Sequence, residues 1–345
     1  MSSFTAPQSY TAFQWDSPNT DLKKTEKPWK DPEQDEVVIK VLACGVCATD
    51  GNIRAGLGVP VNFPVVPGHE VVGDVVAVHP SVRDYKVGDR VGAPMQRNYC
   101  GECRHCRSGQ LMGCDKLFTT LTGATHDGGY AQFARVPTNG VCHISKDIDP
   151  AEAAPLMCAG VTVFNALEQL KIRPGATVAI QGIGGLGHLA VQYSKAMGFR
   201  TVALSSSDRK RDLALKLGAD IYIDESKQNA AEELQKLGGA NAILTTSPSS
   251  KSIMPLLEGL AFEGKLMVVA VPHDEVQFNP GALLGRRLSI HGSFVGTNED
   301  CARTVAFTVK HNIKIWVEKF SMSKVYEAFE RRENAQFRAV VLPWE

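Results

Sequence analysis

QGIGGLGHLAVQYSKAMG, residues 181–198, places Gly182, Gly184 and Gly187 in a G-x-G-x-x-G pattern between two different kinds of segment. The run before it, TVAIQG (177–182), is short and apolar, as a buried strand is. The run after it, LGHLAVQYSKAM, reads as a helix. A strand that turns through glycines into a helix lets backbone approach a pyrophosphate. The helix N-terminus adds free N–H groups and a partial positive charge. Gly182, Gly184, Gly185, Leu186 and Gly187 are therefore candidate dinucleotide-binding residues. The alternative is a tight glycine turn that holds no ligand.

Working outward, TVALSS (201–206), IYIDE (221–225), NAILTTS (241–247), KLMVVAV (265–271) and LSIHGSF (288–294) are further apolar runs. Most intervals between them carry helix-like segments such as DRKRDLALKLG, and this alternation predicts an α/β fold with a doubly wound parallel sheet. Up to about residue 150 the rhythm differs. EVVIKVLACGV (36–46), EVVGDVVAV (70–78) and DRVGAP (89–94) are Val-rich and partly alternating, as strands of an antiparallel or barrel-like domain are. The last fifty residues return to mixed structure, with NEDCARTVAFTVKH and SKVYEAFERR helical and RAVVLPW a strand. A length of 345 residues accommodates two such domains, each with its own core.

Lys plus Arg and Asp plus Glu number 37 each, so no global charge recruits nucleic acid or an anionic membrane. The opening MSSFTAPQSYTAFQWDSPNT lacks a basic segment followed by an apolar core, and no run approaches 18 apolar residues. The expectation is a cytoplasmic protein with neither a secretory signal nor a membrane span. In that compartment thiols stay reduced, and nine cysteines, an odd number, fit metal binding or burial better than a disulfide framework.

The choice of dinucleotide turns on the end of the second strand, where an NAD site usually has an acid about twenty residues past the glycines. Here Ser205, Ser206 and Ser207 stand there, followed by Asp208 and then Arg209, Lys210 and Arg211. Hydroxyls and cations bind a 2′-phosphate that a carboxylate would repel, so the expected coenzyme is NADP(H). Asp208 is three residues late and is expected to cap the following helix. Solvated helix residues are the alternative for Arg209 and Lys210.

Four of the cysteines, Cys100, Cys103, Cys106 and Cys114, lie within YCGECRHCRSGQLMGC (99–114) at C-x2-C-x2-C-x7-C spacing. Four thiolates close a tetrahedral shell and suit structural zinc, whereas bacterial iron–sulfur loops have a shorter last gap followed by proline. A second set is dispersed: Cys47 in CGVCATD, His69 and Glu70 in PGHE, and Cys158 in LMCAG. Two thiolates and an imidazole would make an open Cys₂His shell, but spacing alone does not group them. Taken singly, each is a buried small residue or a turn histidine. Cys44, Cys142 and Cys301 are assigned to packing.

The motifs GVCATD, PGHE, the four-cysteine loop, THDGGYAQF, CAGVTVF and GIGGLG occur in the order and spacing of zinc-dependent medium-chain alcohol dehydrogenases. The chain resembles that family from about residue 36 to its end. SSSDRKR resembles the strand end of NADP-dependent cinnamyl alcohol dehydrogenases, and CAGVTVF and GSFVG are similar to yeast-type enzymes. The resemblance implies a GroES-like β-rich catalytic domain (1–158, with its structural zinc loop at 99–115, and again 295–345) around a Rossmann domain (159–294), with the active site in the cleft between them. It implies two zinc ions per chain, the catalytic one on Cys47, His69 and Cys158 with Glu70 as an occasional ligand. It makes Asp50 the acceptor that orients His69, and Thr49 the start of a proton relay. Thr162 is implied near the nicotinamide, Ser205, Ser206, Ser207 and Lys210 at the 2′-phosphate, and Arg338 at the coenzyme phosphates.

The implied activity is hydride transfer between NADP(H) and a small-molecule primary alcohol or aldehyde. Several positions depart from the family pattern. Asn52 stands where many relatives end the relay with histidine, and asparagine has no pKa near neutrality. Ala48 replaces a residue that is often polar or charged. Gly58 and Met95 fall where yeast-type enzymes have tryptophans, so a wider pocket for bulky or aromatic aldehydes is expected, lined by Leu57, Met95 and Phe294. Reduction of conjugated enones on the same scaffold, and a non-catalytic NADPH sensor, are the rival readings. LSIHGSF is expected to pair across a two-fold axis in a homodimer.

Overall fold

In the computed structural model, which describes residues 4–271, 274, 275, 277–332 and 337–345, seven strands form before residue 150. They are Ser9–Gln14 (β1), Lys23–Pro28 (β2), Glu36–Val46 (β3), Glu70–Val78 (β4), Arg90–Ala93 (β5), Phe133–Pro137 (β6) and Cys142–His143 (β7). One eight-residue helix, Ala48–Ala55 (α1), follows β3 directly. β1 and β2 pair antiparallel as a two-stranded sheet. β3 and β4 begin and end where their Val-rich runs do. β3 is buried along most of its length, and two register shifts against β4 bend it. Such irregularities let one strand change partners along its course: β6 pairs with residues 36–40 of β3, leaving its second half for another neighbour.

The chain then builds a six-stranded parallel sheet from Thr177–Gln181 (β8), Arg200–Ser205 (β9), Ile221–Asp224 (β10), Ala240–Thr245 (β11), Leu260–Val268 (β12) and Ser289–Gly292 (β13). Ala159–Gln169 (α2), Gly187–Ala196 (α3), Arg211–Lys216 (α4) and Ala230–Lys236 (α5) are its main helices. The strand order is β10-β9-β8-β11-β12-β13, so the winding reverses between β8 and β11. Ligands of such sheets bind beyond the carboxyl ends of the strands at that switch point, and the glycine turn follows β8 there. β12 starts at Leu260, earlier than the apolar run suggests. Its first half contains Glu263, in a left-handed conformation, whose N–H bonds Arg286 O at 2.8 Å. An exposed charge and a kink break the apolar pattern that marks the rest of the strand.

Asn298–Lys310 (α6), Val317–Ser321 (β14), Val325–Arg331 (α7) and Arg338–Leu342 (β15) complete the chain. β15 takes the second half of β3 and gives the order β14-β15-β3-β4-β5-β7. Two compact units result: Met1–Cys158 with Gly296–Val309 and Ile315–Glu345, and Ala159–Val295 with Lys310–Lys314. Lys314 belongs with the second because the Gln192 carboxamide of α3 bonds both its N–H and its carbonyl, at 2.8 and 2.9 Å. The first unit is centred on residues such as Trp15, Tyr130 and Phe329, and the second on the apolar faces of β8, β9 and β11. No helix among the described residues is long and apolar enough to cross a membrane.

The glycine turn is tightly constrained at Gly182, whose φ is +86° and where a Cβ would crowd Thr246 Oγ1, and at Gly187. A Cβ at Gly187 would collide with the Gly182 carbonyl oxygen, whereas one at Gly184 meets nothing within 4 Å. Gly187→Ala should therefore destabilise the protein by about 1–3 kcal/mol. Gly184→Ala should stay within about 0.5 kcal/mol of the parent in urea unfolding.

Candidate functional site

The start of α1 is also the start of a polar cluster. Cys47 occupies its N-cap, and its N–H donates to Asp50 Oδ2 at 2.8 Å. The other carboxylate oxygen of Asp50 lies 3.0 Å from His69 Nδ1, and Tyr130 Oη donates to Oδ2 at 3.1 Å. Asp50 and His69 are fully buried. A carboxylate facing Nδ1 keeps the proton on that nitrogen and turns the Nε2 lone pair outward. His69 Nε2 is buried without a hydrogen-bond partner among the described residues. Next to it stand the Cys47 and Cys158 thiols and the Glu70 carboxyl, with ligand atoms from all four residues within 4.8 Å of one another. An unpaired buried imidazole nitrogen between two sulfurs fits a zinc ion, so the dispersed set is brought together.

Glu70 opens β4 opposite Gly45 of β3, and its carboxyl fills the space that a Cβ on Gly45 would need. Burial pushes the Glu70 carboxyl up to about 8, against the opposing charge of Arg338. Arg338 arrives on β15, is only 5% exposed, donates to Val46 O at 3.1 Å and stands 3.6 Å from Glu70 Oε1. Burial opposes its charge, but Glu70, Cys47 and Cys158 outweigh that and hold its pKa up. Between the two cysteines, a hydrogen bond from Cys158 favours the thiolate on Cys47, against burial and with help from Arg338. Arg338 thus stands beside the metal-ligand cluster. Thr49 Oγ1 lies 3.6 Å from Cys47 Sγ, and Asn52 is exposed on α1.

The sulfurs of Cys100, Cys103, Cys106 and Cys114 also lie within 4.8 Å of one another. Backbone N–H groups of Cys103, Cys106, Cys100 and Lys116 approach Cys100, Cys103 and Cys114 sulfurs at 3.4 Å. Such donors favour thiolates, and those of Cys106 and Asp115 are the leading influences that bring the Cys103 thiol down to about 6. Cys44, Cys142 and Cys301 are buried, as a packing role requires.

In the second unit, Ser205 ends β9 buried, Ser206 is exposed and Ser207 half-buried. Lys210 Nζ donates to Ile183 O in the glycine turn at 2.7 Å, which brings the basic cluster to the motif. Arg209 is exposed, and Thr162 is buried near the start of α2. Asp208 caps no helix: its carboxylate is held by Lys227 at 2.6 Å and Arg211 at 2.9 Å. The cause is that the chain after it forms a 3₁₀ turn over 208–210 before α4 begins. Met95 is buried in the core of the first unit, while Leu57 is 63% exposed and Phe294 48% exposed. Two contributors carry no mark in the sequence. Tyr130 lies in the GGY of THDGGYAQF, with no spacing to single it out as the Asp50 partner. Tyr222, whose hydroxyl donates to Ser207 O, sits inside an ordinary strand run.

A metal-ligating cluster on a β-rich unit, and a glycine turn at the switch point of a parallel sheet, are the features of a dehydrogenase. Residues 33–146 match the alcohol dehydrogenase GroES-like domain and residues 185–310 the zinc-binding dehydrogenase domain. The chain is 41% identical over 337 residues to alcohol dehydrogenase notN of Aspergillus sp. (strain MF297-2), covering 97% of this chain and 98% of that protein. It is 39% identical to alcohol dehydrogenase patD of Penicillium expansum, covering 98% of each. Among solved structures, CAD from Helicobacter pylori complexed with NADP(H) is similar at TM-score 0.84 and 26% identity, over 96% of this chain and 97% of that one. Acetophenone reductase from Geotrichum candidum in complex with NAD is similar at TM-score 0.86 and 28% identity, over 99% of both. The chain belongs to the zinc-binding medium-chain alcohol dehydrogenase family.

Removing the Tyr130 hydroxyl deprives Asp50 of one of its donors. Tyr130→Phe should cost about 1–2 kcal/mol in urea unfolding.

Proposed function

We propose that the chain is an NADP(H)-dependent, zinc-dependent alcohol dehydrogenase that interconverts bulky or aromatic aldehydes and primary alcohols. The observation that carries this reading is the unpaired His69 Nε2 beside Cys47 and Cys158, clamped from behind by Asp50. Cys47, His69 and Cys158 would hold the catalytic zinc, which when bound supplies Lewis acidity toward a carbonyl oxygen. Cys100, Cys103, Cys106 and Cys114 would hold a second, structural zinc. The glycine turn and the Ser205–Ser207 and Arg209–Lys210 segment would hold NADPH, the source of hydride. Asp50 fixes the tautomer and direction of the imidazole. Thr49, beside Cys47, is the hydroxyl that holds or passes the proton at the substrate oxygen. Glu70 and Arg338 set the charge behind the ligands, with Glu70 available as an alternative ligand. Thr162 is read near the nicotinamide, and Leu57, Met95 and Phe294 near the substrate. The position of β13 at the edge of its sheet supports a homodimer formed by edge pairing.

NADPH and NADH consumption against aliphatic and aromatic aldehydes tests the reading. Faster turnover with NADPH on the aromatic members, by protein carrying two zincs per chain, is expected. Preference for NADH would overturn the coenzyme assignment alone, and a single zinc per chain would remove the catalytic one. Asn52 cannot titrate, so the relay reaches solvent without an imidazole. Asn52→His should change the pH profile of kcat while leaving the affinity for NADPH within about twofold; an unchanged profile removes position 52 from the relay.

A further inference from the structure

Away from both cysteine clusters, the first unit encloses a cavity of about 370 Å³ against the β1–β2 hairpin and β6. That volume is of the size small organic ligands occupy, roughly 300–1,000 Å³. Part of its lining is aromatic. Phe133 packs edge-on against Trp29 and Tyr10, with ring centroids 5.3 and 5.5 Å apart, and all three rings line the space. Cations line it as well: Lys27, Lys30, Arg97 and Arg135, with Asp127 as the one carboxylate among the described residues of the lining.

The available anions do not satisfy these cations equally. Asp127 is taken by Lys27 at 3.2 Å and by the Val66 N–H at 2.9 Å. An adjoining hollow carries Glu33, Asp35 and Glu36. Arg135 holds Glu33 at 2.8 Å and Glu36 at 3.2 Å, and Ser81 bonds Asp35 at 2.9 Å. Arg97 is left with Glu36 at 3.7 Å, beyond hydrogen-bond distance. Its side chain is only 7% exposed, and Nη1 is buried without a partner among the described residues. Burying a guanidinium with an unpaired N–H is costly unless a ligand supplies the missing acceptor. Burial also pulls its pKa down to about 10, which leaves it charged at neutral pH.

We propose that this cavity is a second ligand site, which takes a small aromatic monocarboxylate with its carboxylate on Arg97 and its ring against Trp29 and Phe133. An arginine fork matches a carboxylate through two parallel hydrogen bonds, and the aromatic lining accounts for the rest of the ligand. Lys30, exposed at the mouth, adds long-range attraction.

The test is calorimetric titration of the zinc-loaded protein with benzoate, acetate and inorganic phosphate, together with the indole N–H resonances of its tryptophans. The Trp29 signal is assigned through Trp29→Phe. Benzoate should bind, shift the Trp29 resonance and outcompete both acetate and phosphate by at least about tenfold. Arg97→Gln should weaken benzoate by about tenfold or more. Should that variant fail to fold, Lys30→Glu, on the surface, should weaken benzoate by about threefold. Benzoate heat without movement of the Trp29 signal would place the ligand elsewhere and overturn the proposal. Undiminished binding by Arg97→Gln or, failing that variant, by Lys30→Glu would overturn it as well. So would phosphate binding as tightly as benzoate, or no benzoate binding at all.

Discussion

A single buried carboxylate organises the metal-ligand cluster. Asp50 receives the Cys47 N–H, the Tyr130 hydroxyl and the His69 imidazole, three groups from distant parts of the first unit. An isolated carboxylate at full burial would be untenable, and these donors are what stabilise it. The helix cap and the site are consequently one object: the group that begins α1 also aims the imidazole. Loss of the carboxylate would release the ring and the helix start together, so this residue carries two constraints that sequence patterns would assign to different positions.

Around that point the two cysteine clusters are built in opposite ways. The Cys100–Cys114 cluster is local, one loop folding back so that its own N–H groups meet its sulfurs. The other draws Cys47, His69, Glu70 and Cys158 from separate elements and needs the Arg338 charge behind them. A local cluster depends on little beyond its loop. The dispersed one depends on the register of β3 against β4, since only that pairing seats Glu70 over Gly45.

That difference explains which features are legible in the sequence. The glycine turn, the strand alternation of the second unit and the four-cysteine loop are contiguous signals, and each appears where its pattern lies. Cys47, His69 and Cys158 carry no mutual spacing, and only family resemblance groups them. Tyr130 and the location of Arg338 are illegible because tertiary pairing alone assigns their partners. Asp208 misleads because a favourable cap residue finds stronger partners in Lys227 and Arg211. Met95 is buried with the core of the first unit, where a hydrophobic side chain serves packing and a pocket wall alike.

The place of β15 has a consequence for the order in which the molecule is made. On the edge away from β4, residues 44–46 of β3, immediately before Cys47, pair with residues 339–341. During synthesis on the ribosome the parallel sheet, complete at residue 292, can therefore close while the earlier unit still has an open seam. Arg338, the counter-charge to Glu70, enters with that closing strand. In a nascent chain the seam beside Cys47 stays open until β15 arrives.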